Sequence, residues 1–160
     1  MKTINLTQGQ VAFVDDEDFE RINAFKWYAR WNPEKQRFYA ARRATKTELL
    51  NGSEEFIHMS RFIMDTPKEM FCDHENHNTL DNQKHNLRNC TASQNMMNKF
   101  AYRNSKTGIK GVCPQGKGYR VELKANRKVV FRKYFSNFED AVSAYKAAAE
   151  KYHKEFANTE

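Results

Sequence analysis

The sequence lacks the cysteine pairs of a standard zinc ribbon. Its three cysteines, Cys72, Cys90 and Cys113, lie far apart, and no two of them form a Cys-x-x-Cys pair. An odd number at this spacing also argues against a disulfide framework. The 160 residues contain no apolar run of the length that spans a bilayer, and the polar N-terminus does not resemble a secretory signal. We therefore expect a cytoplasmic protein that has no membrane partner.

Low-complexity segments and internal repeats are also absent from the sequence. Hydrophobic residues make up 39% of the chain and aromatic residues 13%, which is enough to build real cores and excludes wholesale disorder. The length suits one ordinary domain or two small ones.

Acidic residues are nearly missing from one segment. Residues 99–135 contain 11 Lys/Arg and only Glu122 as an acid, whereas residues 1–98 contain 13 Lys/Arg and 14 Asp/Glu. The formal charge of +7 is therefore concentrated in one block, and aromatic residues are interleaved with it. Ordinary solvated surfaces mix both signs, so this block favours a polyanionic partner, with nucleic acid ahead of an anionic membrane.

The first 64 residues have the pattern of strands and turns. Short strands are predicted at 11–14, 27–31 and 37–45, with a short helix within 18–26. Residues 55–64 begin as a strand and pass into a helical turn. The order then becomes strand, long polar loop, strand and helix over residues 72–102.

The start of that helix has a recognisable signal. Thr91 followed by Gln94 forms a capping-box pattern, which predicts a helix from Ala92 towards Tyr102. The loop before it is rich in asparagine, a residue that favours turns.

Residues 104–111 read as a turn or linker and form the expected domain boundary. Beyond them, residues 119–124 alternate between apolar and charged side chains, and 129–135 form a second strand. Ser136 with Glu139 is a second capping-box pattern that opens an amphipathic helix. The apolar stripe of this helix is predicted to cover one face of a small sheet and to leave the Arg/Lys-bearing face open.

Two kinds of metal site are conceivable in residues 71–95. A zinc site of Cys72, His74, His77 and Cys90 is disfavoured, because Cys90 has no nearby partner ligand. A hard cation fits better, since Asp73 offers a carboxylate oxygen and residue 95 an amide oxygen, as Mg²⁺ or Mn²⁺ prefers. His74 could then take a proton from an attacking water.

The same segment resembles the HNH endonucleases of bacteriophages and group I introns. The matching residues are Asp73-His74, Asn76-x-Asn78-x-Leu80-Asp81-Asn82, Asn86-Leu87-Arg88 and Gln94-Asn95. The resemblance extends over about residues 3 to 98. It implies a ββα-metal (His-Me finger) nuclease core that binds one Mg²⁺ or Mn²⁺ ion per active site.

The resemblance also implies roles for individual residues. His74 would be the general base, Asp73 and Asn95 the metal ligands, and Asn86 the residue that braces the two strands and orients His74. Asn95 stands where many members have histidine, which indicates weaker metal binding and a preference for Mg²⁺ or Mn²⁺ over zinc. Ser60-Arg61 also departs from the His-Arg pair of many members.

Residues 104–157 resemble the DNA-binding domain of apetala-type (ethylene-response) factors, in which a three-stranded sheet enters the major groove and a helix backs it. The matching pieces are TGIKGV, YRVEL, the YFSNFEDAVSAY run and KEFA. The residues expected to contact DNA, with bases and phosphates not yet distinguished, are Arg61, Arg88, Lys110, Arg120, Glu122, Lys124, Arg127 and Arg132. For Arg88, a structural role in its strand is equally compatible with the sequence.

These observations predict an α+β protein with an HNH nuclease domain at 1–102 and an apetala-type domain at 103–160. The nuclease domain would consist of a β-rich lead-in at 1–70 and the ββα-metal core at 71–102. The expected function is metal-dependent hydrolysis of phosphodiester bonds in double-stranded DNA by a homing or phage-type endonuclease, in the bacterial cytoplasm if phage-encoded, with no obligate protein partner. An inactive DNA-binding regulator and a structural zinc protein that binds RNA remain alternatives.

Overall fold

The structure, a computed structural model, describes residues 1–102 and 104–159 and separates into two compact units. The first unit is Met1–Cys90 and the second is Thr91–Glu160. The predicted boundary begins at Arg103, which lies outside the described residues, and it stays a prediction.

The first unit is built from short strands joined by short helices. Its strands are β1 (Lys2–Asn5), β2 (Val11–Val14), β3 (Tyr28–Asn32), β4 (Arg37–Arg43), β5 (Phe56–His58), β6 (Phe71–His74) and β7 (Leu87–Cys90). Its helices are α1 (Asp16–Asn23), α2 (Lys46–Leu50) and α3 (Met59–Ile63), and a 3-10 turn covers Lys84–Asn86. The described strands pair antiparallel in the orders β1–β2, β3–β4–β5 and β6–β7. The strands predicted at 11–14, 27–31 and 37–45 are confirmed to within two residues.

A single apolar cluster holds these small sheets together. Its buried members are Ile4, Ala12, Val14, Ile22, Trp27, Ala40, Met59, Ile63 and Leu87. The indole of Trp27 donates a hydrogen bond of 2.8 Å to the carbonyl of Ile22, so the largest core side chain is also satisfied as a donor. Leu87 brings strand β7 into the same core.

Arg42 is the most unusual member of this interior. Its guanidinium lies 4.2 Å from the ring of Phe25 and 4.9 Å from that of Phe62, and it donates two hydrogen bonds to the carboxylate of Glu48. The Arg42 hydrogen bonds lower the pKa of Glu48 to about 2. Glu48 also completes a capping box with Thr45, so this ion pair fixes α2, a helix that the sequence patterns did not predict.

The second unit is one sheet with helices. Its elements are α4 (Ala92–Asn98), β8 (Val112–Gln115), β9 (Gly118–Ala125), β10 (Lys128–Phe135), α5 (Phe138–His153) and a 3-10 turn at Lys154–Phe156. The strands form an antiparallel sheet in the order β10–β9–β8. Helix α4 begins at Ala92 with the predicted capping box of Thr91 and Gln94.

Side-chain alternation along β9 is confirmed. Val121 and Leu123 are buried in a cluster with Tyr145 of α5 and its alanines. The predicted cap of α5 is wrong by one residue, because Asn137 and not Ser136 accepts the capping hydrogen bond, from the amide of Asp140. Asparagine and serine are both good caps, so the local pattern did not distinguish the two registers.

Gly111 marks the closest packing in this unit. Its φ is +72°, and a Cβ placed there would lie 2.8 Å from the carbonyl oxygen of Glu122 and 2.9 Å from the ring of Tyr145. Gly108 has nearly the same φ, +71°, but a Cβ there would have no neighbour within 4 Å. Only the first of these glycines is therefore required by packing as well as by backbone conformation.

The architecture is mixed α/β, with several small sheets and, among the described residues, five α-helices, and it is compatible with the α+β class. None of the described helices has the length and apolar character needed to cross a membrane. Strand β1 and helix α2 were not predicted, and the residues of β8, the third strand that the apetala-type resemblance implied, were not assigned.

Candidate active site

Strands β6 and β7 form an antiparallel pair that presents an acid and a histidine side by side. In its register Asp73 lies opposite Arg88, and His74 lies opposite Leu87. Because neighbouring side chains in a strand alternate, Asp73 and His74 point to opposite faces of the pair. His74 is only 6% exposed, whereas Asp73 keeps contact with solvent on the other face.

Arg88 holds the carboxylate of Asp73. Its Nε and Nη2 atoms donate to Oδ2 of Asp73 at 3.1 and 3.0 Å, and its Nη1 lies 3.6 Å from a carboxylate oxygen of Glu75. The side chains of Asp73 and Arg88 are only 11% and 14% exposed, so this is a well-shielded ion pair. Two donors on one oxygen fix the orientation of the Asp73 carboxylate.

His74 is held from one side by Asn82. The Nε2 atom of the imidazole lies 3.3 Å from Oδ1 of Asn82, an oxygen that can only accept, so Nε2 carries the hydrogen in this contact. Burial lowers the pKa of His74 to about 4, against a smaller raising effect of the Asn82 hydrogen bond. The imidazole is therefore neutral at pH 7. Within the described structure, the Nδ2 of Asn82 is buried and has no hydrogen-bond partner.

The side chain of Asn86 forms hydrogen bonds to two parts of the loop that joins β6 and β7. Its Oδ1 accepts from the backbone amide of Asn76 at 2.9 Å, and its Nδ2 donates to the carbonyl of Asp81 at 2.8 Å. The carbonyl of Asn86 also accepts from the amide of Glu75. Asn86 is 2% exposed, so these bonds form in a shielded environment. The side chain braces the loop that carries Asn82.

Strand β2 holds the same loop from a distance in sequence. The amide of Phe13 donates to the carbonyl of Leu80, and the amide of Asn82 donates to the carbonyl of Phe13, both at 2.8 Å. The carboxylate of Asp15 accepts from the side chain of Gln83 and from the amide of Lys84. Asn82 thus reaches His74 from a backbone position that β2 sets. Sequence patterns included Asn82 in the motif but did not indicate this contact.

The cysteines near the site are poor metal ligands in their present surroundings. Burial raises the pKa of Cys72 and raises that of Cys90 to about 11. Across residues 1–102 and 104–159, no three His, Cys, Asp or Glu side chains are grouped so as to hold a metal ion. In the first unit Asp73 and His74 are neighbours on β6 but point to opposite faces, and Asn86 lies at the end of the loop that follows.

Asn95, the other proposed metal ligand, belongs to the second unit. It is a half-buried residue in the first turn of α4, and this helix belongs to the second unit. Within that unit α4 is held by Asn158, whose side chain donates to the carbonyl of Asn98, and by Ser93, which accepts from the amide of Asn126. The convergence of Asn95 with Asp73 and His74 stays a prediction.

Arg61 and Lys110, which were expected to contact DNA, donate hydrogen bonds to backbone carbonyls of the protein. Arg61 donates to the carbonyls of Met70 and Pro67 at 2.7 and 3.0 Å. Lys110 donates to the last carbonyls of α4, those of Met96 and Met97, and burial lowers its pKa to about 8. Both side chains thus stabilise local structure.

The charged residues of the second sheet lie on the face opposite the core. Glu122 of β9 lies across from Arg132 of β10 and accepts two hydrogen bonds from it, at 2.7 and 2.8 Å. Arg120 and Lys124 share this face by alternation, and Arg127 lies in the β9–β10 turn with a φ of +64°. The arrangement leaves two positive charges beyond the Glu122–Arg132 pair on one surface.

The chain is similar to a protein of the HNH endonuclease class. That relative, from Acanthamoeba polyphaga mimivirus and named as an uncharacterized HNH endonuclease, is 27% identical over 150 residues, which cover 94% of this chain and 74% of the mimivirus protein. No family model matches the chain, and no solved structure matches it. The alignment with the mimivirus protein includes residues of both compact units.

Proposed function

We propose that this chain is a metal-dependent DNA endonuclease of the HNH type, which hydrolyses phosphodiester bonds in double-stranded DNA. The observation that carries the proposal is the succession, on strand β6, of an Asp73 carboxylate oriented by Arg88 and a neutral, buried His74 held by Asn82. The name of the mimivirus relative supports the same class of activity. In this proposal β6, β7 and α4 are the elements of a ββα-metal core.

His74 is the proposed general base. Its pKa of about 4 keeps the imidazole unprotonated at neutral pH, so the neutral form that a general base needs is present. The contact of Nε2 with Oδ1 of Asn82 orients the ring, and the neutral imidazole is proposed to take the proton from an attacking water. Asn86 contributes by fixing the loop on which Asn82 lies, which makes it a positioning residue for His74.

The proposed metal ligands fit a hard cation by their chemistry. Asp73 offers a carboxylate oxygen and Asn95 an amide oxygen, the ligands that Mg²⁺ or Mn²⁺ prefers and that suit zinc less well. One Mg²⁺ or Mn²⁺ ion held by these two residues would supply Lewis-acid stabilisation of the charge that develops on the phosphate. Arg88 keeps the Asp73 carboxylate in a fixed orientation, and this contact favours the structural role for Arg88.

The second unit is proposed to dock the enzyme on the duplex through its three-stranded sheet, as in apetala-type domains. Two features support this proposal: α5 packs on one face of the sheet, and Arg120, Lys124 and Arg132 lie on the other. Exposed Tyr134 lies opposite Arg120 on the same face. Contacts from this surface to phosphates would position the duplex, and arginine could also read bases.

The test is cleavage of supercoiled plasmid in Mg²⁺ or Mn²⁺, with and without chelator, scored for nicked and linear product. His74→Ala should abolish cleavage while duplex affinity, measured in chelator, changes less than about twofold. His85→Ala is the matched control, because it removes an exposed histidine from the same segment, and it should cleave normally.

Retained cleavage by His74→Ala would remove His74 from the mechanism. A wild-type chain that binds duplex DNA in both metals without cutting it would instead be a DNA-binding regulator. The basic block of residues 99–135 favours this second function, since it would serve binding with or without catalysis.

A further inference from the structure

The sheet β3–β4–β5 turns a positively charged face away from the apolar core. Ala40 and Arg42 of β4 pack towards the core, so the alternate residues Tyr39 and Arg43 point to the other face. Arg30 lies directly opposite Tyr39 on β3 and shares this face. We call this surface the basic face; its cations are Arg30, Lys35, Arg37 and Arg43.

Aromatic rings organise these cations. The Arg30 guanidinium lies 4.4 Å from the ring centroid of Phe56, and that of Arg43 lies 5.9 Å from the same ring. The Lys35 ammonium lies 5.5 Å from the ring of Tyr39. A ring that supports a cation restricts its side chain and leaves the other side of the charge directed at solvent. The spacing of the charges is therefore set by the sheet.

The cations of the basic face are not ion-paired within the described structure, although the charge of Glu54 acts on His58 of the same sheet. In the part of the chain that the structure describes, no ion pair involves Arg30, Lys35, Arg37 or Arg43. Arg42, which points to the core from the same strand, is by contrast paired with Glu48. Arg30, Lys35 and Arg43 are also exposed, so their charges are available to an anion from solution.

The formal charge of residues 1–98 does not indicate the basic face, because these residues carry slightly more acids than bases. Three of the acids, Asp16, Glu17 and Asp18 of α1, form ion pairs with Lys84 or the N-terminal amine. The cations of the basic face take no part in these pairs, so a net charge near zero says little about this face.

The basic face is continuous with the candidate active site. Nη1 of Arg37 donates to the carbonyl of His77 at 3.2 Å, and the amide of His77 in turn donates to the carbonyl of His74. Tyr39 stacks edge-on against His58, with ring centroids 5.4 Å apart. The positive charge of Arg37 acts on the imidazole of His74, and the ring of His58, whose own pKa is lowered by burial, lies near it. A ligand bound to this face would therefore lie beside His74.

We propose that the basic face binds the phosphate backbone of duplex DNA next to the bond that is cleaved. This inference rests on the proposed endonuclease function, and it adds a second DNA-binding surface to the one on the second unit. Guanidinium groups suit phosphate because they donate in a planar fork. Three exposed cations spaced along a sheet supply contacts that position the duplex without reading its sequence.

Salt dependence of binding tests this surface in the full chain. The test variant carries Arg30→Gln, Lys35→Gln and Arg43→Gln, and leaves Arg37 in place because it holds the His77 carbonyl. Affinity for a duplex is measured by fluorescence anisotropy in chelator from 50 to 300 mM salt. Each lost phosphate contact should reduce the slope of log affinity against log salt by about 0.9, so the slope should fall by about 2 to 3.

A charge-matched control separates this surface from a general loss of charge. Lys26→Gln, Lys46→Gln and Lys68→Gln remove three exposed lysines from the same unit and outside the basic face, and the slope should stay within about 0.5 of wild type. Equal slope changes in the two triple variants would overturn the proposal. A second form of the test variant, with Arg30→Lys in place of Arg30→Gln, keeps this charge and should regain about one phosphate contact.

The failure of this inference is distinguishable from that of the endonuclease. If the wild-type chain cuts plasmid and both triple variants bind alike, only the basic face is refuted. If wild type binds without cutting, the endonuclease is refuted and the slopes still decide the surface. Should the test variant unfold, as tryptophan fluorescence would show, the single variants Lys35→Gln and Arg43→Gln replace it, each with an expected slope change of about 0.9.

Discussion

Asn86 makes two shielded hydrogen bonds that hold the loop carrying Asn82, the residue that contacts His74. Two substitutions of Asn86 separate the contributions of these bonds. Asn86→Ala removes both bonds, to the amide of Asn76 and to the carbonyl of Asp81. Asn86→Asp keeps an acceptor for the Asn76 amide but places a carboxylate oxygen where the Nδ2 donor faced the Asp81 carbonyl. The two variants therefore differ in one donor and one charge.

The size of the effect follows from these contacts. A buried group that loses its hydrogen-bond partner costs about 1 to 3 kcal/mol, and the partners here are partly shielded, so Asn86→Ala should lose about 2 to 3 kcal/mol of unfolding free energy. For a unit of 90 residues this corresponds to a fall in Tm of about 10 to 20 °C. Cleavage should fall at least about tenfold, because Asn82 would no longer be held against His74.

Tryptophan fluorescence reports selectively on this unit, because Trp27 and Trp31 are the two tryptophans of the chain. Urea titrations of wild type and variants at several pH values give the unfolding free energy. The carboxyl introduced by Asn86→Asp faces an acceptor, so its pKa is raised in the folded state. Its protonated form can donate as Asn86 does, and the cost of Asn86→Asp relative to wild type should shrink as pH falls, whereas that of Asn86→Ala should not.

Asn78→Ala is the control within the same loop, because Asn78 is exposed and accepts one hydrogen bond of 3.2 Å from Leu80. It should cost less than about 1 kcal/mol. If Asn86→Ala costs no more than this control, the two hydrogen bonds do not hold the loop and the reasoning is refuted.

Two further predictions concern stability away from the site. Glu48→Gln should destabilise the first unit at neutral pH by about 3 kcal/mol at most, because the folded-state pKa of Glu48 is depressed from 4.5 to about 2. This stability is present above about pH 4.5 and is lost as pH falls towards 2. Wild type and variant should therefore converge near pH 2 in urea titrations followed by tryptophan fluorescence. Gly111→Ala should destabilise the second unit by at least about 2 kcal/mol more than Gly108→Ala in thermal melts followed by circular dichroism, since both positions have the same φ and only the first lacks room for a Cβ; equal costs would contradict the packing argument.

Local signals predicted local structure well. The alternation in β9 placed Val121 and Leu123 in the core, and Thr91 with Gln94 located the start of α4, because both patterns depend on residues within one or two turns. The same kind of signal was ambiguous at α5, where adjacent serine and asparagine compete for the cap. Helix α2 was missed although Thr45 and Glu48 form a capping-box pattern, because its five residues bury no side chain and therefore show no apolar periodicity.

Edge strands were harder to predict. Strand β8 has only Val112 buried and contains a proline, so neither apolar alternation nor β-propensity marks it. Strand β1 similarly buries only Ile4. Both are recognised only through their partners, β9 and β2, which is information that a short window of sequence does not contain.

The sequence likewise predicted some features of the candidate site and not others. The adjacency of Asp73 and His74 on a strand, and the position of Asn86 at the end of the loop, could be predicted from spacing. The contact of Asn82 with His74 could not, because the backbone of Asn82 is held by Phe13, which lies far away in sequence. The positions that hold the histidine are thus specified by tertiary pairing, while the chemical groups are specified by the motif.

The distribution of charge over the first unit also depends on tertiary structure, and it bears on the proposed DNA binding. At physiological salt, interactions between exposed charges fade beyond about 8 Å, so a bound phosphate responds to the cations close to it and little to the total charge of the unit. The acids on α1 already have partners in Lys84 and the N-terminal amine, whereas Arg30 and Arg43 have none among the described residues. A duplex arriving at His74 would therefore meet a locally positive surface on a unit whose overall charge is close to zero. Electrostatic steering would come from the second unit, with its excess of Lys/Arg, and local positioning from the first.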